Sequence, residues 1–248
     1  MDAFTVSPHP TDALLAKLSR RDRVSAVERA ALTALMGPPR RHRAGSLMVQ
    51  TGERPHQSTL LLSGLAGRQN LTASGARSFT QIGLPGDFLD LHSLLMGQMD
   101  HGVLALTDCM VANAPHDRIR QVLSEHPHLA RLLWLETVVD AAIHRQWLHR
   151  MGRQDALGRL AHLICEMRAR LELVGLVEDQ SFALPLGQVD LADCLGISTV
   201  HVNRSLMELR RRGLLSWKNG WVVLTDAAGL IALAEFDPTY LRLHSAPV

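Results

Sequence analysis

The chain is predicted to be an α+β protein with an N-terminal antiparallel β-roll, one long dimerisation helix and a C-terminal winged helix-turn-helix. Three observations predict this. Residues 40–115 break into short apolar runs separated by turn residues. His128 to Arg150 holds neither Gly nor Pro. Leu184 to Leu224 reads as two short helices around a glycine, followed by an Asn-Gly hairpin. The expected units are a strand-rich domain with an N-terminal helix over 1–126, the dimerisation helix and a hinge over 127–152, the winged helix over 153–236, and a tail over 237–248.

The elements follow in order. Residues 1–12 are polar and proline-containing, a loose leader. Asp12 to Met36 is expected as one helix with Leu14, Leu15, Leu18, Val24, Val27, Ala31 and Leu35 as its apolar positions, ended by Gly37-Pro38-Pro39. Strands are expected at Leu47 to Val49, Leu60 to Leu62, Phe79 to Leu84, Val103 to Leu106 and Met110 to Ala112. Turns are expected at Gly52-Glu53, Ser63-Gly64, Ala73-Ser74-Gly75 and Leu84-Pro85-Gly86-Asp87. The helix His128 to Arg150 should span about 34 Å. It carries two apolar stripes: Leu132, Leu135, Val139 and Ala142, and, on a neighbouring face, Trp134, Val138, Ala141 and Leu148. One stripe is expected on the roll and the other on a second copy, with the first assigned to the dimer. A hinge at Met151-Gly152-Arg153 and a helix over Gln154 to Val174 complete the approach to the winged helix.

Within that last unit, Ala192, Gly196 and Val202 have helix-turn-helix spacing: a small residue where the helices touch, a glycine for the left-handed turn, and an apolar anchor for the second helix. Leu191, Leu195, Ile197, Leu206 and Leu209 complete the small core. Ser198 is placed to cap the second helix. The outer face of that helix offers Thr199, Val200, His201, Asn203, Arg204 and Arg211, and Lys218 tips the hairpin. Side chains near the start of such a helix reach base edges in a DNA major groove. Arg204 is suited to a bidentate contact with guanine, Asn203 to adenine or phosphate, and His201 and Lys218 to the backbone. Between Gly187 and Trp221 there are five basic residues against three acidic.

A net charge of +2 excludes a polycation, so any nucleic-acid site must arise from local clustering. The three cysteines lie far apart with no C-x-x-C, which predicts neither a disulfide framework nor a zinc or iron–sulfur centre. The opening residues lack the basic start and apolar core of a signal peptide, and no run approaches about 18 apolar residues. A cytoplasmic protein without a membrane partner is expected.

The strand-rich first domain, the long helix and the segment VHVNRSLMELRRRGLL together resemble the Crp/Fnr superfamily of bacterial transcription regulators, over about Leu14 to Leu233. The resemblance implies a homodimer whose roll is like a cyclic-nucleotide-binding domain. Its long helix would be the dimer axis, and its two recognition helices would read a palindrome in double-stranded DNA, in contact with RNA polymerase. It implies that Arg204 keeps a guanine contact. Val200 stands where many members carry a glutamate, and could meet a thymine methyl. Where cyclic-nucleotide binders place an arginine followed by serine or threonine, this chain has Met99 and Asp100, so cyclic AMP is not expected as ligand. Gly86, Asp87, Asp100 and His101 then mark a vestigial pocket, with a structural loop as their role. The leader has no iron–sulfur cysteines. No cofactor and no metal ligand set are expected, because the histidines around the roll (His92, His101, His116, His126, His128) form no H-E-x-x-H pattern. The alternatives are a haem- or metal-dependent sensor and, on the strand-rich domain, a cupin-like metal enzyme, for which His56 has no nearby ligand partner. The chain is read as no enzyme.

Overall fold

The computed structural model describes residues 9–243; most of the expected leader and residues 244–248 of the tail lie outside them. Two helices open the chain where one was expected, α1 (Asp12–Arg21) and α2 (Ala26–Leu35). The break has a local cause. Ser25 Oγ accepts from the Glu28 backbone N–H at 3.3 Å, and Glu28 Oε2 accepts from the Ser25 N–H at 2.8 Å, a reciprocal box that starts a new helix. Val27, expected inside, is exposed.

The roll comprises β1 (Arg40–His42), β2 (Leu47–Val49), β3 (Gln57–Ser63), β4 (Ala66–Leu71), β5 (Arg77–Gly83), the short helix α3 (Ser93–Met96), β6 (Gly102–Ala105) and β7 (Cys109–Pro115). They form two antiparallel sheets, ordered β1-β7-β3 and β2-β6-β4-β5. Val49, Leu61, Met99, Val103, Cys109 and Val111 fill the space between them. Strands β1 and β4 escaped the sequence reading because neither has an apolar run. They are recruited by pairing, Arg40 to His42 against Val111 to Cys109, and Ala66 to Leu71 against β5.

The short helix α4 (His116–Glu125) leads into α5 (Pro127–Arg153), the 27-residue helix. The expected hinge at Met151-Gly152-Arg153 remains helical. The chain breaks three residues later, where Asp155 Oδ1 accepts from the Gly158 N–H at 2.8 Å and caps α6 (Ala156–Leu173).

The α5 stripe expected to meet a second copy packs within this chain instead. Leu132 is fully buried with α1, α2 and α4, Val139 is buried against the roll and α6, and Leu135 is partly buried on the same core. Together with half-buried Ala142 they serve this chain's own packing, so they are not the dimer face that was expected. The open stripe is the other one, with Trp134 70%, Val138 45% and Leu148 69% exposed.

The C-terminal unit continues with β8 (Val177–Glu178), β9 (Ser181–Ala183), α7 (Gln188–Leu195), α8 (Thr199–Arg211), β10 (Leu215–Lys218), β11 (Trp221–Leu224) and α9 (Ala227–Ala234). Its sheet runs β10-β11-β9-β8. Glu166 on α6 is wholly buried and accepts from Trp147 Nε1 of α5 at 3.1 Å and from the Tyr240 hydroxyl at 2.8 Å, which ties this unit to the long helix. No helix among the described residues is long and apolar enough to cross a membrane.

Candidate nucleic-acid interface and roll cavities

The helix-turn-helix is α7 and α8. Gly196 adopts φ +63° between them, Ala192 is buried at the crossing, and Val202 and Leu209 are fully buried beneath α8. A Cβ on Gly196 would meet only Met151 Sδ, at 3.5 Å, so Gly196→Ala suffers backbone strain without a clash. It is expected to lower stability by about 1 kcal/mol, read by denaturant unfolding.

Ser198 caps α8. Its Oγ accepts from the His201 N–H at 3.4 Å and lies 2.8 Å from His201 Nδ1, so His201 folds back on the cap. Thr199, Val200, Asn203, Arg204 and Met207 are all exposed on one side. Arg204 has no hydrogen bond or ion pair among the described residues, which leaves its five donors for a ligand. Arg211 differs. Its Nε and a terminal nitrogen both lie 2.8 Å from Glu208, which also takes Arg212 at 2.7 Å. The two arginines hold the exposed Glu208 carboxyl down at about 2, and the basic helix end is correspondingly muted. Arg210 donates to the Trp217 carbonyl at 2.8 Å and pins α8 to the hairpin.

In that hairpin Lys218 pairs with Trp221 across Asn219 and Gly220, whose φ values of +51° and +79° are those of a type I′ turn. Lys218 is exposed beside the turn. Seven of the eight expected contact residues thus share an exposed surface with unengaged or cap-facing groups, while Arg211 is shared with Glu208.

The four expected pocket residues do not form one pocket. Gly86, at φ +88°, lies so close to α1 that a Cβ would meet the Ala13 carbonyl carbon at 2.9 Å, and its N–H is bound to the Leu61 carbonyl at 2.8 Å. Asp87 is committed as well. It accepts from Lys17 Nζ at 2.6 Å, Arg170 at 2.7 Å and the Leu84 N–H at 2.8 Å. Burial alone would raise its carboxyl, but Lys17 and Arg170 hold it well below the usual carboxylate range. Glu136 pairs with Lys17 and Arg21, and Glu166 with Arg170, which completes a buried charge cluster joining α1, the roll, α5 and α6.

Asp100 and His101 lie instead on a separate, larger cavity between the roll and α5, together with His92 and His144. Sequence reasoning missed His144, since only the fold brings α5 opposite the loop before β6. Met99, at the position where binders of cyclic nucleotides carry an arginine, is buried in the roll core, and the Asp100 carboxylate would repel a phosphate. These residues do not fit a cyclic nucleotide.

A second contact joins the roll to the reading head. Arg77 of β5 donates to Asp193 at 2.7 Å and Asp190 at 3.1 Å on α7.

Comparison with known proteins agrees with this architecture. Residues 39–126 match the cyclic nucleotide-binding domain and residues 158–233 the Crp-like helix-turn-helix domain. The chain belongs to the Crp/Fnr superfamily. Among curated relatives of this Crp/Fnr protein, the transcriptional activator protein FnrL of Cereibacter sphaeroides is 25% identical over 80% of this chain and 81% of its own. The nitrogen fixation regulation protein FixK of Bradyrhizobium diazoefficiens is 29% identical over 70% and 72%. The solved structure of FixK2 from Bradyrhizobium japonicum shares the fold with a TM-score of 0.71 at 23% identity, covering 79% of this chain and 96% of that one. A Crp/Fnr protein is a DNA-binding transcription regulator, not an enzyme.

Proposed function

We propose that the chain acts as a homodimer that binds a palindromic promoter site with the two copies of α8 in successive major grooves, about one helical turn apart, and that it there contacts RNA polymerase. The observation that carries this reading is the exposed row Thr199, Val200, Asn203 and Arg204 at the capped start of α8, flanked by Lys218 at the wing. The open apolar stripe on α5 supports the dimer. Trp134, Val138, Ala141 and Leu148 recur at the alternating four- and three-residue steps of a two-stranded coiled coil, with Arg145 interrupting the seam.

The test is Arg204→Ala against the operator recovered by genome-wide mapping of bound DNA, titrated at fixed salt. Loss of a bidentate base contact is expected to weaken binding by about 1–3 kcal/mol, roughly 5- to 150-fold, and to relax preference at one base pair per half-site. Lys218→Ala is expected to weaken all sequences evenly and to lower the salt slope by about 1. Unchanged affinity and specificity in Arg204→Ala would show that the reading face lies elsewhere. A cytoplasmic site of action follows from this role.

A further inference from the structure

The cavity between the roll and α5 has a volume of about 610 Å³ and is lined by Arg68, His92, Asp100, His101, Asp140 and His144 among others. Its polar groups are unusually poor in partners. The Nε2 atoms of His92, His101 and His144 are all buried with no hydrogen-bond partner among the described residues. Three unsatisfied imidazole nitrogens on one cavity are a standing cost in the absence of a ligand. His101 is the most enclosed of them, only 7% exposed.

Asp100 is close to one of these rings. Its Oδ1 lies 2.7 Å from His101 Nδ1, which places a carboxylate oxygen and an imidazole nitrogen, both metal donors, side by side. The His92 ring lies 5.0 Å from that of His101, centroid to centroid. One ligand atom from each of His92, Asp100 and His101 falls within 4.8 Å of the others. Arg68 does not leave the cavity strongly cationic, because it is paired with Asp140 and donates to Gln81 Oε1 and the Leu89 carbonyl.

We propose that His92, Asp100 and His101 bind one divalent first-row transition-metal ion per chain, in the cavity that His144 of α5 also lines. A mixed nitrogen and oxygen donor set selects borderline ions such as Zn²⁺, Co²⁺, Ni²⁺ or Fe²⁺ over Mg²⁺ and Ca²⁺, which take oxygen. Donors converging from one loop suit an ion, whereas a haem iron takes its protein ligands along an axis through the ring. Ion binding goes beyond the regulator reading and does not depend on it.

The experiment uses untagged full-length protein, stripped with a chelator and dialysed against Zn²⁺ or Co²⁺ in the absence of DNA. One ion per chain is expected, with visible d–d absorption for Co²⁺. The double variant His92→Ala, His101→Ala should bind at least 100-fold more weakly, Asp100→Asn about 10- to 100-fold more weakly, and His149→Ala, an exposed histidine of α5, as the parent. Far-UV circular dichroism of the metal-free variants checks folding, and should the double variant misfold, Asp100→Asn decides. Absence of a stoichiometric ion in the parent, or binding by the folded variants equal to the parent's, would overturn the proposal. Neither result bears on the Arg204 titration, so the two readings fail separately.

Discussion

Replacing Asp87 with asparagine is expected to destabilise the protein by about 3–5 kcal/mol, lowering Tm by roughly 10 °C for a chain of this size. The carboxylate stands between two cations that are themselves almost inaccessible, Lys17 and Arg170. An amide of the same shape leaves three buried positive charges, Lys17, Arg21 and Arg170, with Glu136 and Glu166 as their remaining ion-pair partners. The penalty is the uncompensated desolvation of a cation, not the net worth of one ion pair. Linkage adds a second readout. The folded carboxyl titrates below its ordinary value of about 3.9, so its contribution is present above that pH and lost as pH falls towards the folded value. The parent should therefore lose stability below about pH 4 more steeply than Asp87→Asn. Denaturant unfolding at neutral and acid pH measures both effects. A loss below about 1 kcal/mol would show that solvent reaches the cluster.

The paired substitution Trp134→Asp, Val138→Asp is expected to convert the proposed dimer to monomer and to abolish the proposed binding to a palindromic operator at concentrations that saturate the parent. Both side chains are exposed on α5, Trp134 by 70% and Val138 by 45%, and neither is part of a buried core cluster. Apolar anchors of this kind, above all tryptophan, contribute about 2 kcal/mol or more each at an interface, and two carboxylates per chain on a two-fold axis also repel. Sedimentation of the variant gives the answer. A retained dimer would place the subunit contact on another face. The contrasting change Leu132→Ala should instead lower the stability of each chain, by about 2–5 kcal/mol, because that side chain belongs to the internal core.

The contrast between these two stripes shows what the sequence could and could not convey. Periodicity identified both faces of α5 but held no information on which one the roll and α1 would cover, because that depends on contacts with residues 100 or more positions away, such as Glu28 with His128. The winged helix was far more legible. Its determinants are local: a left-handed glycine at 196, a cap at Ser198 and two positive φ angles at Asn219 and Gly220. The Ser25-x-x-Glu28 box was equally local, and would have divided α1 from α2 had it been weighed against the apolar spacing. Strand β4 hid behind Gly67, Arg68, Gln69 and Asn70, none of them apolar strand formers; the buried Arg68 is accommodated because it finds Gln81 and Asp140 across the fold. Of the cavity histidines, His92 and His101 were visible in the sequence, whereas His144 joins the same cavity only because α5 is laid across the roll.

Helix α5 is unbroken for 27 residues from the roll to Gln154 and is about 40 Å long. A rod of that length acts as a lever, and a tilt of about 5° at its roll end displaces its far end by about 3.5 Å, close to the rise of one base pair. What opposes such a swing is the shared buried core of the roll, α5, α6 and the winged helix, together with the Lys17–Asp87–Arg170 cluster and the contact of Arg77 with Asp190 and Asp193. A small tilt of α5 at the roll is therefore amplified along its length, and reaches the winged helix as a shift on the scale of the step between base pairs.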